Sequence, residues 1–332
     1  MWLNRFKGVS AKDFVLQNAV YILSVLLLIV PGFFSDTYLT SASITVLLKN
    51  ISLWGMMAIG VSFVMLIGCN DLSVGFNTSM LTVITVLLSQ NLPVVVFLPL
   101  VLLCGIVSGL LNGFVVADLK LNPFIATLST QMIFRGIGLV LSNGVPIMNT
   151  NEFIKVFFEF EIIDLGIFTL TLPMVILIAC LIITSYVLKY TQFGQNLYVV
   201  GGNKEAAQFS GISIRKITYQ SYAISGLFAA ITAILVTSFN TSGNPVIGER
   251  YSLQTVAACV LGGLRVTGGY GNTVRAVLGV VSMQLIQKVL YMVDSSIANL
   301  QIGIVGVILI IFLIIDMIST EASKKKAIKP VR

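Results

Sequence analysis

The chain has 332 residues, of which 57% are hydrophobic and 10% charged, and its net charge is +7. This composition excludes an ordinary soluble domain, in which roughly a quarter of the residues are charged, and it indicates a membrane protein. Transmembrane helices are predicted because backbone amides in lipid must be satisfied within their own segment. There is no histidine, and Cys69, Cys104, Cys180 and Cys259 match no metal-ligand spacing. We therefore predict no catalytic, cofactor or metal site.

The apolar stretches predict an all-α polytopic membrane protein with about ten spans. The eighth span is short enough to be a half-helix that does not cross the bilayer. The predicted spans are 14–34, 44–67, 74–90, 94–117, 123–142, 167–188, 217–238, 251–264, 275–292 and 297–317.

The distribution of basic residues predicts that both termini are cytoplasmic. The predicted inner segments hold most of the 20 basic residues, whereas the outer loops hold Lys155 and Arg250. This asymmetry follows the positive-inside rule. The basic charge is thus explained by topology and by the anionic lipids of the inner leaflet, and it does not indicate nucleic-acid binding.

The spans and loops predict one transmembrane domain over residues 1–332, divided into two related halves. The first half is 14–142 and the second is 217–317. An acidic outer loop, 143–166, is either a solvated connector or a docking surface for an external partner. An inner loop spans 189–216, and a basic cytoplasmic tail spans 318–332.

The inner loop contains a predicted short helix that starts at Asn203 and stops at Gly211. Asparagine is a good helix N-cap, Glu205 suits the positive end of a helix dipole, and glycine is a common stop. Such a helix is either an ordinary loop helix or a rigid handle moved by another protein. Its candidate coupling residues are Asn203, Lys204, Glu205, Ala206, Ala207 and Gly211.

Two polar, glycine-bounded breaks interrupt the apolar sequence. Gly68 aligns with Gly262 and Gly75 aligns with Gly269, and an even number of predicted spans separates the two copies, which indicates a parallel internal repeat. Irregular backbone at membrane depth requires a protein or water environment, so the breaks are candidate hinges. The residues singled out are Gly68, Asp71, Ser73, Gly75, Gly262, Gly263, Gly268 and Gly269.

Several polar residues within the predicted spans need an explanation. Asp71 is interpreted as a helix-capping residue with Ser73, and a proton relay is the alternative. Arg135 is expected to snorkel or to bond a backbone carbonyl, and Lys49 and Lys288 are expected to snorkel from outer helix ends. Gly105, Gly109 and Gly113 are expected to pack against another helix.

Six further polar or aromatic residues are candidates for a solute pathway, although each is equally well explained as an interhelical hydrogen-bonding residue. They are Asn50, Trp54, Thr127, Gln131, Asn240 and Gln284.

Four motifs in order along the chain resemble the permease subunits of bacterial ABC sugar importers, of the ribose, xylose and autoinducer-2 type. They are Asn70-Asp71-Leu72-Ser73-Val74-Gly75; Asn122-Pro123-Phe124-Ile125-Ala126-Thr127-Leu128 with Phe134-Arg135-Gly136; Gly201-Gly202-Asn203 with Glu205-Ala206-Ala207; and Leu261-Gly262-Gly263 with Gly268-Gly269.

This resemblance implies a permease dimer of identical or related copies in the bacterial inner membrane. It also implies cytoplasmic ATPase subunits, an extracytoplasmic solute-binding protein, and a coupling role for the Asn203 to Gly211 helix. The sequence departs from the family pattern at Cys69, Asn70 and Arg265, so the identity of the solute is not transferred.

The chain lacks the G-x-x-x-x-G-K-[ST] phosphate-binding motif, so ATP hydrolysis is expected in a separate subunit. The predicted function is to pass a monosaccharide or sugar-like solute inward by alternating access. The alternative is a secondary transporter or channel that works alone on a small polar solute.

Overall fold

A computed structural model describes residues 21–22, 24–293, 303, 306–307 and 310. The start of the first predicted span, most of the predicted span 297–317 and the whole predicted tail 318–332 lie outside the described residues. The elements below therefore cover the chain from the end of the first apolar run to the ninth predicted span.

The described chain is mostly helical, and its helices follow the apolar runs of the sequence. In chain order they are α1 Ser24–Phe33, α2 Ser41–Leu66, α3 Val74–Ser89, α4 Val94–Ala117, α5 Pro123–Leu141, α6 Glu152–Phe157, α7 Leu172–Tyr190, α8 Gln192–Gly202, α9 Lys204–Phe209, α10 Ile214–Asn240, α11 Tyr251–Leu261 and α12 Thr273–Val293.

Within the described part of the chain, six helices are long and apolar enough to cross a membrane: α2, α4, α5, α7, α10 and α12. The predicted number of about ten spans is not confirmed. The third predicted span is the 16-residue helix α3, and the eighth is the 11-residue helix α11, which at 1.5 Å per residue is only about 16 Å long. Because the hydrocarbon layer is about 30 Å thick, α11 has the length of a half-helix.

Four short strands accompany the helices, and the mostly helical chain fits the predicted all-α membrane protein. Strand β1 is Ile147–Met148 and pairs antiparallel with β4, Ser242–Gly243. Strand β2 is Glu161–Asp164 and pairs antiparallel with β3, Thr169–Thr171. Three of these strands lie in or beside the predicted outer loop, so that segment is a folded cap on one end of the helix bundle.

The bundle is built around the interface between α4 and α10, where backbones meet without intervening side chains. A methyl group on Gly105 would lie 2.4 Å from the carbonyl oxygen of Gly226, and one on Gly109 would lie 2.2 Å from that of Tyr222. Small residues allow this close approach between helices. The packing role predicted for the glycines of α4 is confirmed.

Helix α3 is almost completely enclosed by its neighbours, although it is too short to be a usual span. Nearly every side chain from Val74 to Val83 is buried, and the surrounding elements include α5, α10 and α4. An apolar helix buried on all sides belongs to a core. The loop that leads into α3 therefore lies inside protein, where irregular backbone at membrane depth is tolerated.

Candidate functional site

The first break begins with a glycine turn that ends α2. Gly68 has φ +70°, its N–H donates to the carbonyl of Met65 at 2.9 Å, and the N–H of Cys69 donates to the carbonyl of Val64 at 3.1 Å. These two bonds form a Schellman motif, which satisfies carbonyls that would otherwise be free at the helix end. Gly68 is therefore the stop signal of α2.

Asp71 lies at the centre of the first break and is 2% exposed. Its Oδ1 accepts hydrogen bonds from the N–H of Ser73 at 3.0 Å and from the Ser73 hydroxyl at 2.6 Å. Its Oδ2 accepts one from the hydroxyl of Ser225 on α10 at 2.7 Å. Ser73 is the N-cap residue of α3, but its side chain does not cap that helix. The Ser73 side chain bonds Asp71 rather than a helix N–H, which corrects its predicted capping role. Asp71 accepts a backbone N–H immediately before α3, and its capping role stays a prediction.

Three further bonds tie the first break to the surrounding helices. Asn112 Nδ2 on α4 donates to the Ser73 hydroxyl at 2.7 Å, and the Tyr222 hydroxyl on α10 donates to the carbonyl of Asn70 at 2.9 Å. On α5, Thr127 Oγ1 accepts from the N–H of Leu72 at 3.2 Å. Thr127, a predicted pathway residue, thus holds the backbone of the first break in place. In total, side chains from three helices hold this break.

The second break begins with the same turn as the first. Gly263 has φ +90°, its N–H donates to the carbonyl of Val260 at 2.8 Å, and the N–H of Leu264 donates to that of Cys259 at 3.1 Å. The structural partner of Gly68 is therefore Gly263, one position later than the sequence alignment with Gly262.

The alignment of Gly75 with Gly269 is not supported by the structure. Gly75 lies inside α3, where a methyl group would lie 2.2 Å from the carbonyl oxygen of Gly248. Gly269 lies in the loop before α12 and has φ +73°. The correspondence therefore covers the helix-ending turn, and the wider repeat stays a prediction.

The two breaks touch each other, and the inner loop touches both. The N–H of Gly269 donates to the carbonyl of Leu66 at 2.9 Å. A methyl group on Gly68 would lie 2.7 Å from the carbonyl oxygen of Thr267, and one on Gly201 would lie 1.8 Å from that of Leu66 and 2.6 Å from the Gly269 nitrogen. We call Leu66, Gly68, Gly201 and Gly269 the glycine junction. It confirms that both breaks lie at the same end of the bundle.

The sequence did not predict that Gly201 belongs to this junction. In the sequence, Gly201 and Gly202 belong only to the third family motif, but in the structure they form the last two residues of α8. Their glycine pair was the one available signal. Residues without side chains are needed here because three backbones approach within hydrogen-bonding distance.

The predicted helix of the inner loop is confirmed as α9, directly after α8. Asn203 Oδ1 accepts from the N–H of Ala206 at 3.0 Å, Glu205 lies in the first turn, and Gly211 ends the segment with φ +75°. Ala207 is buried against the bundle, whereas the Phe209 side chain is 92% exposed. One side of α9 is thus anchored while its last residue projects outward.

An ion pair lies near α9, where α4 ends and α10 begins. Arg215 Nε is 2.5 Å from Asp118 Oδ1, and the Tyr219 hydroxyl donates to Asp118 Oδ2. The Tyr219 hydrogen bond, together with the Arg215 guanidinium, lowers the pKa of the Asp118 carboxyl. Because the Arg215 side chain is largely exposed, this pair positions two helix ends rather than stabilising a core.

A cavity of about 690 Å³ lies between the first half of α2 and the last half of α12. It brings together the predicted pathway residues Asn50, Trp54 and Gln284. The remaining lining residues are Thr37, Thr40, Ala42, Ser43, Val46, Leu47, Gln287, Lys288 and Tyr291. Counted along α2, Trp54 is about 18 Å from the break at Leu66, so the cavity lies towards the end of the bundle opposite α9.

The other three predicted pathway residues lie elsewhere. Thr127 and Gln131 are on α5, and Asn240 is an exposed residue at the end of α10 whose Nδ2 donates to the carbonyl of Val236 at 3.0 Å. None of them lines the cavity. Arg135 stacks its guanidinium over the Phe76 ring at 5.2 Å, a cation–π contact.

The two lysines expected to snorkel also have specific contacts. Lys49 forms an ion pair with Glu159, in the segment between β1 and β2. Lys288 donates to the carbonyl of Tyr38 at 2.7 Å and lines the cavity. A lysine near a helix end has the same local sequence pattern whether it snorkels or makes a specific contact, so the sequence did not reveal these roles.

The apolar helices of this bundle, six of which are long enough to cross a membrane in the described part of the chain, indicate a multi-pass membrane protein. The model of the family described as branched-chain amino acid transport system / permease component matches residues 43–313. The chain belongs to this family, and it is a permease component rather than an enzyme.

Curated relatives match over nearly the full length of both chains. The ribose import permease protein RbsC of Haemophilus influenzae is 32% identical over 89% of this chain and 92% of its own. The L-arabinose transport system permease protein AraH of Escherichia coli is 32% identical, with coverage of 93% and 92%. The galactose/methyl galactoside import permease protein MglC of Haemophilus influenzae is 29% identical, with coverage of 95% and 97%. No solved structure matches the chain.

Proposed function

We propose that the chain is the membrane-spanning subunit of a bacterial ABC importer for a monosaccharide or a sugar-like solute. The observation that carries this proposal is its similarity, over about nine-tenths of its length, to import permeases named for ribose, arabinose and galactose. These three sugars share a hydroxylated ring of similar size. The solute would arrive on an extracytoplasmic binding protein and leave into the cytoplasm.

The end of the bundle that carries α9 would face the cytoplasm, with both termini on the same side. The basic residues Lys204, Arg215 and Lys216 lie on or beside α9, which agrees with the positive-inside rule. The folded cap of β-strands and α6 would face the outside and receive the binding protein. A second permease copy or a related chain would complete the pathway, with residues 14–142 and 217–317 as its two related halves.

Helix α9 would couple this subunit to cytoplasmic ATPase subunits. Its exposed Phe209 offers an aromatic contact of the kind that anchors interfaces, and its buried Ala207 ties the helix to the bundle. Because Gly201 precedes α9 and contacts both breaks, a push on α9 reaches Leu66 and Gly269 directly. These two residues belong to the breaks at which α2 ends and α12 begins.

Alternating access follows from the course of these two helices. α2 runs from the cavity to the first break, and α12 runs from the second break back to the cavity. A shift at the glycine junction therefore tilts both cavity walls together, as in a hinge motion of packed elements. Closure of the ATPase subunits would favour one tilt of these helices, and solute release would favour the other tilt. Each partner can do this only if it contacts the two states differently.

The coupling role is tested with proline scanning of α9 in the complete importer. Proline at Ala207 removes the N–H that donates to the Asn203 carbonyl at 3.0 Å and should abolish both uptake and the stimulation of ATPase activity by the binding protein. The matched control is Gln192→Pro, because Gln192 is the exposed first residue of α8, where proline is tolerated. It should keep most of both activities.

Phe209→Ala separates coupling from folding, since the side chain is 92% exposed. We expect assembly of the permease with normal thermal stability but ATPase stimulation reduced at least fivefold. Normal stimulation and uptake in both Ala207→Pro and Phe209→Ala would refute the coupling role. ATP-independent uptake by the purified chain in vesicles would instead support the secondary transporter or channel.

A further inference from the structure

The cavity between α2 and α12 is lined by three side-chain amides that have no hydrogen-bond partner among the described residues. Asn50, Gln284 and Gln287 line it, and no hydrogen bond within the described residues uses their amide groups. Each amide offers two N–H donors and a carbonyl acceptor. Gln284 is only 8% exposed, so its amide has little access to bulk water and gains most from a bound polar ligand.

Lys288 adds one cation to this wall, and its ammonium group is only partly satisfied. Its Nζ donates to the carbonyl of Tyr38 at 2.7 Å and to that of Ser43 at 3.5 Å, and it lies 4.3 Å from the centre of the Tyr38 ring. An ammonium has three N–H donors, so one remains for another acceptor. No aspartate or glutamate is among the described residues that line the cavity, and none of these residues gives Lys288 a carboxylate partner.

Trp54 supplies an aromatic surface next to these polar groups. Its ring is held edge-on against Tyr251 of α11, with ring centres 4.4 Å apart and planes at 70°, a favoured aromatic geometry. The C–H faces of a sugar ring pack on aromatic surfaces while its hydroxyl groups point to the sides. The cavity thus combines an aromatic surface, amides that both donate and accept, and one cationic donor, which together suit a hydroxyl-rich ring.

We propose that this cavity is the solute-binding site of the permease and that Lys288 donates its remaining N–H to an oxygen of a bound monosaccharide. The proposal rests on the proposed function and adds the site and the residues that recognise the solute. The volume of about 690 Å³ falls in the range of small-molecule sites, ~300–1,000 Å³. It admits one monosaccharide with accompanying water. Gln284 and Gln287 hold the solute's hydroxyl groups.

The test uses the complete importer in proteoliposomes, with radiolabelled D-ribose, L-arabinose and D-galactose as separate probes. Gln284→Leu and Lys288→Met should each lower uptake of the transported probe at least tenfold. ATPase stimulation by the binding protein should stay within twofold of wild type, because that response depends on α9 and not on the cavity. Lys288→Arg keeps the charge and the donors and should restore uptake to within about threefold of wild type.

Matched controls use the same side chains outside the cavity. Gln220→Leu removes a half-buried amide from α10, and Lys189→Met removes an exposed lysine from the last turn of α7; both should transport normally. Wild-type uptake in Gln284→Leu and Lys288→Met would overturn the proposal. So would a parallel fall of uptake and ATPase stimulation in these variants, because this would indicate a structural role.

Failure of the proposed function has a different signature. If the wild-type importer takes up none of the three probes, the assignment to monosaccharide import is wrong, and the cavity proposal falls with it. If wild-type uptake proceeds without the ATPase subunits, only the ATP-driven mechanism is wrong. In that case the cavity variants still report on the solute site through uptake alone.

Discussion

The two breaks end their first helix with the same glycine turn but are held in place by different means. In the first break, side chains from α4, α5 and α10 reach in to bond Ser73, Leu72 and Asn70. In the second break the chain instead turns through glycines at left-handed angles, with φ +86° at Gly268 and +73° at Gly269. One break is fixed by a polar network, and the other is shaped by backbone.

This difference indicates which break can change shape at lower cost. Moving the first break breaks hydrogen bonds to a buried carboxylate, which costs more than breaking neutral bonds at a surface. The second break has no buried carboxylate, and the side chains of Thr267 and Tyr270 are exposed. We therefore expect the first break to act as a fixed pivot and the second to take up most of the motion.

The largest expected effect comes from the point where α8 presses on both breaks. Gly201→Ala places a methyl group 1.8 Å from the Leu66 carbonyl oxygen, a clash between backbones that no rotamer change can relieve. We expect a loss of stability of about 3 kcal/mol or more, measured by equilibrium unfolding in mixed micelles.

Gly202→Ala is the matched control for that substitution, since a methyl group there meets nothing within 4 Å. Replacing a helical glycine by alanine should leave stability unchanged or raise it by up to about 1 kcal/mol. Equal stability of the Gly201→Ala and Gly202→Ala proteins would show that α8 does not press on the two breaks, and the comparison between the breaks would lose its shared contact.

The next largest effect should distinguish the polar network from the glycine-shaped loop. Asp71→Ala leaves the buried hydroxyls of Ser73 and Ser225 without their acceptor, and we expect a loss of about 2–4 kcal/mol. Thr267→Ala, in the second break, removes an exposed side chain and should change stability by no more than about 0.5 kcal/mol. Similar losses in both variants would mean that the two breaks are held alike.

Asp71→Asn tests whether the carboxylate works as a proton relay or as a structural acceptor. An amide keeps a carbonyl acceptor for Ser73, and its N–H can donate to the Ser225 hydroxyl. We expect uptake within about threefold of wild type and the same dependence on external pH. A loss of uptake with unchanged stability would favour the proton relay over the structural role.

Helix bounds were predictable where the apolar run itself decides them. Helix α4 occupies Val94–Ala117, the same residues as the fourth predicted span, because Pro93 precedes the run and Asp118 ends it. Helix α8 was not predicted, since it is short and contains three glycines, two of which end it. Its close packing against Leu66 outweighs the low helix propensity of glycine.

The candidate site was predictable in its residues more than in its contacts. The glycines of both breaks carry a local signal, since left-handed turns favour glycine. Their meeting with Gly201 carries no local signal beyond the Gly201-Gly202 pair, because it joins three segments that are distant in sequence. In the same way, Asn50, Trp54 and Gln284 could be chosen as polar or aromatic residues within spans, but only the fold separates them from Thr127, which bonds a backbone N–H.

The smallest expected effect concerns the feature that the two breaks share, the helix-ending glycine turn. Alanine at Gly263 must adopt φ near +90°, which costs about 1–2 kcal/mol, but its methyl group would meet only the movable end of the Arg275 side chain, at 3.1 Å. Alanine at Gly68 carries the same conformational cost and in addition approaches the Thr267 carbonyl oxygen at 2.7 Å. We therefore expect Gly68→Ala to be less stable than Gly263→Ala by about 1 kcal/mol when both are unfolded in the same micelles. The sign of this stability difference tests which of the two breaks is the more tightly constrained. If Gly263→Ala is the less stable protein, the second break is the more tightly constrained one, and the roles of pivot and moving part must be exchanged.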